Sequence, residues 1–101
     1  MNIYKYQLEI QDSQTVEMPA ASKILSVANQ NGMLCLWAHV IPNSCIESRV
    51  IEIAGTGNHY PPEDGADRSF IGTVVFEQFV WHVFEKFPAR TIDGASGNPD
   101  R

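Results

Sequence analysis

Five side chains in this sequence have the chemistry to hold a metal or to form a thiol–imidazole pair: Cys35, His39, Cys45, His59 and His82. Their spacing argues against both. There is no C-x-x-C and no H-x-x-x-H pair, the spacings that bring two ligands to one ion. Cys35 and His39 stand four residues apart in an apolar run that reads as a strand, which separates them by about 13 Å. They could share a zinc ion only across a bend. A Cys–His nucleophile needs a hydrogen-bonded imidazole and a third group to orient it. His82 could approach Cys35 across a core, but apolar surroundings would raise the thiol pKa and quiet it. The expected roles are therefore a buried thiol and sheet histidines, with no metal and no cofactor. A Cys35–Cys45 disulfide is conceivable but not needed.

Two further constellations invite a functional reading. Gly55-Thr56-Gly57-Asn58 could cradle a phosphate with backbone N–H groups. A phosphate loop normally leads into a helix, whereas this one leads into His59-Tyr60-Pro61-Pro62, which cannot start one promptly. A strand-terminating turn is the simpler reading. The acids Glu63, Asp64 and Asp67 lie beside Arg68 in the polar stretch 59–68. General acid–base work needs carboxylates held rigidly and partly desolvated, which a glycine-containing surface loop does not supply. Such a loop is expected to be solvated. It is also a reasonable contact surface, since binding residues concentrate on loops held by a rigid scaffold. Glu63, Asp64 and Asp67, with the aromatics Tyr60 and Trp81, are thus the candidate binding residues, and no catalytic set is expected.

The elements that would position these residues follow from a hydrophobic period of two. Tyr4, Tyr6, Leu8 and Ile10 alternate with Ile3, Lys5, Gln7 and Glu9, giving a half-buried first strand of about nine residues. Residues 15–18 form a short second run ended by Pro19. Residues 24–30 and 33–41 flank Asn31-Gly32, the strongest short-range hairpin signal, because both residues accept the positive φ of a type I′ turn. The second arm is apolar on both faces and reads as a central strand covered twice. Residues 48–54, 69–76 and 79–87 complete about seven strands, the last two forming a hairpin around Glu77-Gln78. The pattern predicts a mainly β fold, an antiparallel β-sandwich or small barrel. One short helix over residues 75–87 is the alternative. Leu25, Val27, Leu34, Leu36, Trp37 and Ile71 are the expected core.

The chain has 101 residues, a 44% hydrophobic fraction and 19% charged residues, which excludes a disordered or fibrous protein. It reads as one domain over residues 1–87 followed by a flexible tail over residues 88–101. No run approaches the roughly 20 apolar residues of a membrane helix, so a cytoplasmic protein is expected. Seven Lys and Arg against twelve Asp and Glu leave a net charge of −5. An acidic domain without a basic stripe is not expected to hold nucleic acid by its phosphates. The strand with Phe79, Trp81 and Val83 on one face and Val80, His82 and Phe84 on the other is apolar on both. Either both faces are covered or one is an interface, and small size tilts the reading towards a homo-oligomer.

Several stretches together resemble a family of small bacteriophage and prophage proteins that has no assigned activity. They are Ile3-Tyr4-Lys5-Tyr6, Gln14-Thr15-Val16-Glu17-Met18-Pro19, Lys23-Ile24-Leu25-Ser26-Val27, the Gln30-Asn31-Gly32 turn and Leu34-Cys35-Leu36-Trp37-Ala38. Gly55-Thr56-Gly57, Ile71-Gly72-Thr73-Val74 and Val80-Trp81-His82-Val83-Phe84-Glu85 follow in the same order. The resemblance covers residues 1–87. Asn58 and the longer proline-rich loop depart from it, and the residues beyond Phe87 look like a private extension. It implies a phage context and brings no catalytic residues. The expected function is non-catalytic binding, as a stoichiometric inhibitor of a host protein such as a component of a bacterial defence system. Acidic inhibitors can occupy basic, nucleic-acid-binding surfaces. The alternative is a protein that sequesters a small molecule or nucleotide between protomers, for which an aromatic-lined pocket near Lys5, Arg49 or Arg68 would be needed.

Overall fold

A computed structural model describes residues 1–88 of the chain. The described residues form seven antiparallel strands: β1 (Asn2–Gln7), β2 (Ser13–Pro19), β3 (Lys23–Gln30), β4 (Met33–Val40), β5 (Ile46–Gly55), β6 (Arg68–Phe76) and β7 (Phe79–Lys86). They make a three-stranded sheet of order β1-β4-β3 and a four-stranded sheet of order β2-β5-β7-β6. The architecture is sandwich-like and does not close into a barrel. Residues 75–87 hold β7 and the end of β6, so the helical alternative fails. Val75, Val80 and Val83 are β-branched and suit a pleated surface better than a helix. Among the described residues no helix is long and apolar enough to cross a membrane. The expected tail over residues 88–101 lies, apart from Pro88, outside the described residues.

Alternation sets the core. On β4, Leu34, Leu36, Ala38 and Val40 all point inward and are buried. They face Val16 and Met18 of β2, Ile51 and Ile53 of β5, and Val74 and Val83 of the β6–β7 hairpin within one apolar cluster. The two sheets come close along β3 and β6, where a Cβ on Gly72 would lie 3.1 Å from Val27 Cγ1. A larger residue at position 72 would force the sheets apart.

Only one face of β4 is covered by a second layer, contrary to the sequence reading. On its other face Cys35 is buried, Trp37 and His39 are half-buried, and Met33 is exposed. Trp37 is therefore not a core aromatic. Val27 and Ile71 are likewise half-buried and pack on the edge of the core. Leu25 is 43% exposed, because the β3–β4 register shifts between Ile24 and Ser26 and the bulge turns it outward. Cys35 and Cys45 are both free thiols. The first strand is shorter than its alternation suggests, although Leu8 continues the ladder by donating its N–H to the Leu34 carbonyl at 2.8 Å. On β7 the Phe79–Trp81–Val83 face turns inward, and Val83 is fully buried. Trp81 is half-buried, and Phe79 at the end of the face is 62% exposed, so the other sheet covers that face only in part.

Both predicted hairpins form. Asn31 and Gly32 take φ of 54° and 81° between the paired Gln30 and Met33, as a type I′ turn requires. Glu77 and Gln78 adopt the same conformation, with φ of 52° and 73°, between Phe76 and Phe79. The left-handed region costs a residue with a Cβ about 1–2 kcal/mol. Replacing Glu77-Gln78 by Asn-Gly is expected to raise stability by about 1 kcal/mol. Urea unfolding midpoints of the two proteins check this; a lower midpoint for the variant contradicts it.

Candidate functional site

The segment joining β5 to β6 folds back over the outer face of the four-stranded sheet. A tight turn starts it: Gly57 has φ 92°, Asn58 N–H donates to the Gly55 carbonyl at 3.1 Å, and Thr56 N–H donates to Val80 at 3.2 Å. These bonds make Gly55-Thr56-Gly57-Asn58 a strand-ending turn. Tyr60 then stacks on Phe84 of β7, with ring centroids 4.7 Å apart. Phe70 of β6 meets Phe84 edge-on at 5.4 Å. Three aromatic side chains from three segments thus share one patch.

Beneath Tyr60 lies Glu52, an outward position of β5 that is only 6% exposed. Its Oε1 accepts the Tyr60 hydroxyl at 2.6 Å and Arg68 Nε at 2.6 Å. Arg68 also donates through both terminal nitrogens to Asp64, at 3.1 and 2.9 Å. Asp64 further accepts the Ala66 N–H at 3.0 Å and pairs with Lys86 at 3.2 Å. Asp64 is therefore not a solvated loop acid. It is the anchor that fastens the loop to β6 and β7.

The electrostatics follow from this arrangement. Bonds from Arg68, then from Ala66 N–H, hold the Asp64 carboxyl far below the usual carboxylate range. Burial, the largest influence on Glu52, pushes its carboxyl up. The bonds from Arg68 and Tyr60 and the charges of Arg68 and Lys86 outweigh it, so Glu52 stays below its ordinary value. Burial and the bond to Glu52 push the Tyr60 phenol well above its ordinary value. At neutral pH the two carboxylates stay ionised and the phenol stays protonated. None of the three is poised to exchange a proton near neutrality, as a general acid or base must be. A groove of about 460 Å³ beside Tyr60 is lined by Asp12, Ser13, Glu52, Asn58 and His59 among others.

The other sequence candidates are dispersed. Trp81 points to the inner face of the same sheet and donates Nε1–H to the Phe76 carbonyl at 3.3 Å. It does not join Tyr60. Glu63 and Asp67 are both exposed, and the Asp67 carbonyl accepts Phe87 N–H at 2.9 Å. His82 on the outer face is held between Thr56 Oγ1 at 2.7 Å and Thr73 Oγ1 at 3.0 Å. Cys35 lies on the outward face of the other sheet, so the two cannot form a nucleophilic pair. Among the described residues no three of His, Cys, Asp and Glu gather as metal ligands.

Sequence reasoning missed a second buried carboxylate. Glu85 of β7 points inward and is 5% exposed. Arg49 of β5 clasps it through Nε and, at 3.1 Å, through a terminal nitrogen. Arg49 also donates to the Ser22 carbonyl at 2.9 Å and to Glu47 at 3.1 Å, beside a groove of about 540 Å³. A signal was present: Arg49 and Glu85 fall in phase with Ile51, Ile53 and Val83. A charge at an inward position requires an opposite partner.

Residues 1–92 match the family model of a domain of unknown function, DUF7352. The chain belongs to that family. The DUF7352 match spans all seven strands and the loop bearing Tyr60 and Asp64, so the ion network lies wholly within the domain. Among curated proteins and among solved structures nothing matches the chain.

The network makes stability acid-sensitive. Folding depresses the Asp64 and Glu52 pKa values, so the folded state binds fewer protons than the unfolded one. Their contribution is complete at neutral pH and is lost as pH falls through the ordinary carboxylate range of about 4 and below. Thermal melts from pH 7 to pH 3 should show a falling Tm, and Asp64→Asn should flatten the fall. An equally steep fall in the variant would exclude Asp64 as its source.

Proposed function

We propose that this protein is a non-catalytic binding module that engages a protein partner through the outer face of the β6–β7 hairpin. One observation carries the reading: Phe70, Val75 and Val80 are 59%, 62% and 39% exposed on the same face of a rigid, hydrogen-bonded sheet. Phe70 lies opposite Phe84, and Val75 opposite Val80. The aromatic group of Tyr60 and Phe84 adjoins Phe70, and the tight turn of Glu77 and Gln78 closes the other end. The Thr73–His82 pair lies between Phe70 and the Val75–Val80 row, so the face carries two apolar patches around a polar centre. Apolar patches rimmed by polar residues mark interaction sites more often than scattered exposure does.

Charge narrows the partner. Glu77 stands exposed in the turn at one end of the face and Glu63 is exposed in the β5–β6 loop. The guanidinium and ammonium of Arg68 and Lys86 are bound to carboxylates. The complementary surface has apolar contacts for Phe70 and the Val75–Val80 row and a basic rim. This supports the reading of a stoichiometric inhibitor directed at a basic host protein, such as a bacterial defence component, in the phage setting that the sequence resemblance implies. It weighs against nucleotide sequestration at Arg49 or Arg68, because both are committed to internal ion pairs.

The test is a Phe70→Ser/Val75→Ser variant. Both positions are exposed, so the fold is expected to persist in circular dichroism. Wild type should retain a basic host protein from bacterial lysate in a one-to-one complex, and the variant should lose it. If wild type captures nothing and light scattering shows a dimer that the variant abolishes, the face is a self-association surface and the inhibitor reading fails. Equal capture by both proteins also defeats it.

A further inference from the structure

The outer face of the three-stranded sheet differs in charge from the rest of the molecule. The sequences of β1, β3 and β4 contain no Asp or Glu, whereas the chain as a whole has twelve. Cations collect there instead. Lys5 of β1 stands opposite Trp37 of β4, which stands opposite Ser26 of β3. In the next row Ile3 stands opposite His39, which stands opposite Lys23. Directly paired residues share a face, so Trp37 and His39 form a central aromatic column on β4, with Lys5 rising from β1 on one side and Lys23 from β3 on the other.

These lysines are the available ones. Among the described residues, Arg49, Arg68 and Lys86 are each bound to a carboxylate. Lys5 meets only the neutral Gln30 amide, at 2.9 Å, which uses one of the three donors of its ammonium. Lys5, Lys23 and Ser26 are exposed, and Trp37 and His39 are half-exposed.

We propose that this face binds single-stranded nucleic acid. The rings of Trp37 and His39, two residues apart on one strand, offer successive stacking platforms about 6.6 Å apart. Lys5 and Lys23 start from opposite sides of the column, two strand spacings across and two residues along, about 12 Å apart at the backbone. The Lys5 ammonium reaches across β4 to Gln30 of β3, and both cations can pair with backbone phosphates. An aromatic column on an antiparallel sheet with flanking cations is the arrangement that holds unstacked bases without reading their sequence. The face is an open sheet surface, which suits an extended strand better than an enclosed mononucleotide.

Net charge does not forbid this. Stacked sheets are about 10 Å apart, and the Debye length at physiological salt is about 8 Å. Solvent-exposed acids on the far sheet are therefore largely screened from a strand lying on this one. The expectation drawn from the average charge treats the surface as uniform, and the fold segregates it. This proposal is independent of the protein-binding reading, since the two faces belong to different sheets.

The test is fluorescence anisotropy of an end-labelled oligothymidylate of about 15 nucleotides, near the upper site size for one small β domain. Wild type should bind with a Kd of about 10⁻⁵ to 10⁻⁴ M at about 50 mM salt. The log–log salt slope should be about −1.4, the value for two phosphate contacts on a single strand. Lys5→Gln/Lys23→Gln, both surface substitutions, should weaken binding roughly tenfold and bring the slope close to zero. Trp37→Leu should weaken it roughly tenfold and leave the slope unchanged. The lysine variant carries the test if the tryptophan variant loses its circular dichroism spectrum. No anisotropy change at millimolar protein overturns the proposal, as does binding insensitive to the lysine variant. Equal affinity for a duplex of the same length would show that phosphates alone are bound. Competition by thymidine monophosphate at equal nucleotide concentration would show that a nucleotide, not a strand, is the ligand. Either result overturns it.

Discussion

Two carboxylates buried in neighbouring central strands govern how this domain is built. Glu52 of β5 and Glu85 of β7 lie next to each other in register, with Glu52 opposite Phe84 and Ile51 opposite Glu85. They therefore project from opposite faces of the same sheet. A buried carboxylate costs several kcal/mol unless it is paired and hydrogen-bonded. Each is met by one arginine that is itself largely buried. Each arginine in turn secures a connection: Arg68 fixes the β5–β6 loop through Asp64, and Arg49 fixes the β2–β3 turn through the Ser22 carbonyl. Connections that would otherwise be free become part of the rigid scaffold. The arginines are thereby withdrawn from any ligand, which leaves apolar surface on one sheet and lysines on the other as the binding resources.

The parts of the fold that local sequence dictates were legible. Alternation or a short apolar run bounded by turn residues marked each strand, and Asn31-Gly32 and Glu77-Gln78 marked two hairpins, because turn chemistry and strand period are short-range properties. Which face of a strand is covered is not short-range. The run from Met33 to Val40 alternates apolar with apolar, and nothing local says that Trp37 faces outward and Leu36 inward. Leu25 misled for a related reason: a bulge changes which face a residue occupies without changing composition. Asp64 misled most. A carboxylate in a loop of Pro, Gly and acids looks solvated; its partner Arg68 is close in sequence, but Glu52 and Lys86, which hold Arg68 and Asp64 to the sheet, lie far along the chain. Tyr60 and the acidic loop were recognisable as features of interest, but Glu52, the group they converge on, reads locally as an ordinary outward strand position.

The division of charge between the sheets has a structural origin. The four-stranded sheet holds the buried acids and needs arginines to neutralise them. The three-stranded sheet has no acid to neutralise, so its lysines stay exposed. An average over the chain sees only an excess of acids and misses a face without any. Electrostatic arguments from composition hold for solubility and long-range approach, whereas contact within a Debye length depends on the local set of residues.

The β6–β7 turn shows where folding and binding diverge. Glu77 and Gln78 both occupy the left-handed region, which Asn-Gly would fill at lower cost. The first hairpin uses that better pair, so this fold accommodates it. Glu-Gln at the second turn is a local choice against stability, and choices of that kind cluster at functional positions. The turn stands at the end of the exposed Val75–Val80 row and places the Glu77 carboxylate at its rim. An Asn-Gly turn would keep the hairpin but remove the charge. The less stable sequence is the one that places a carboxylate beside the exposed Val75–Val80 row, which is the acidic border that the proposed basic-rimmed partner would meet.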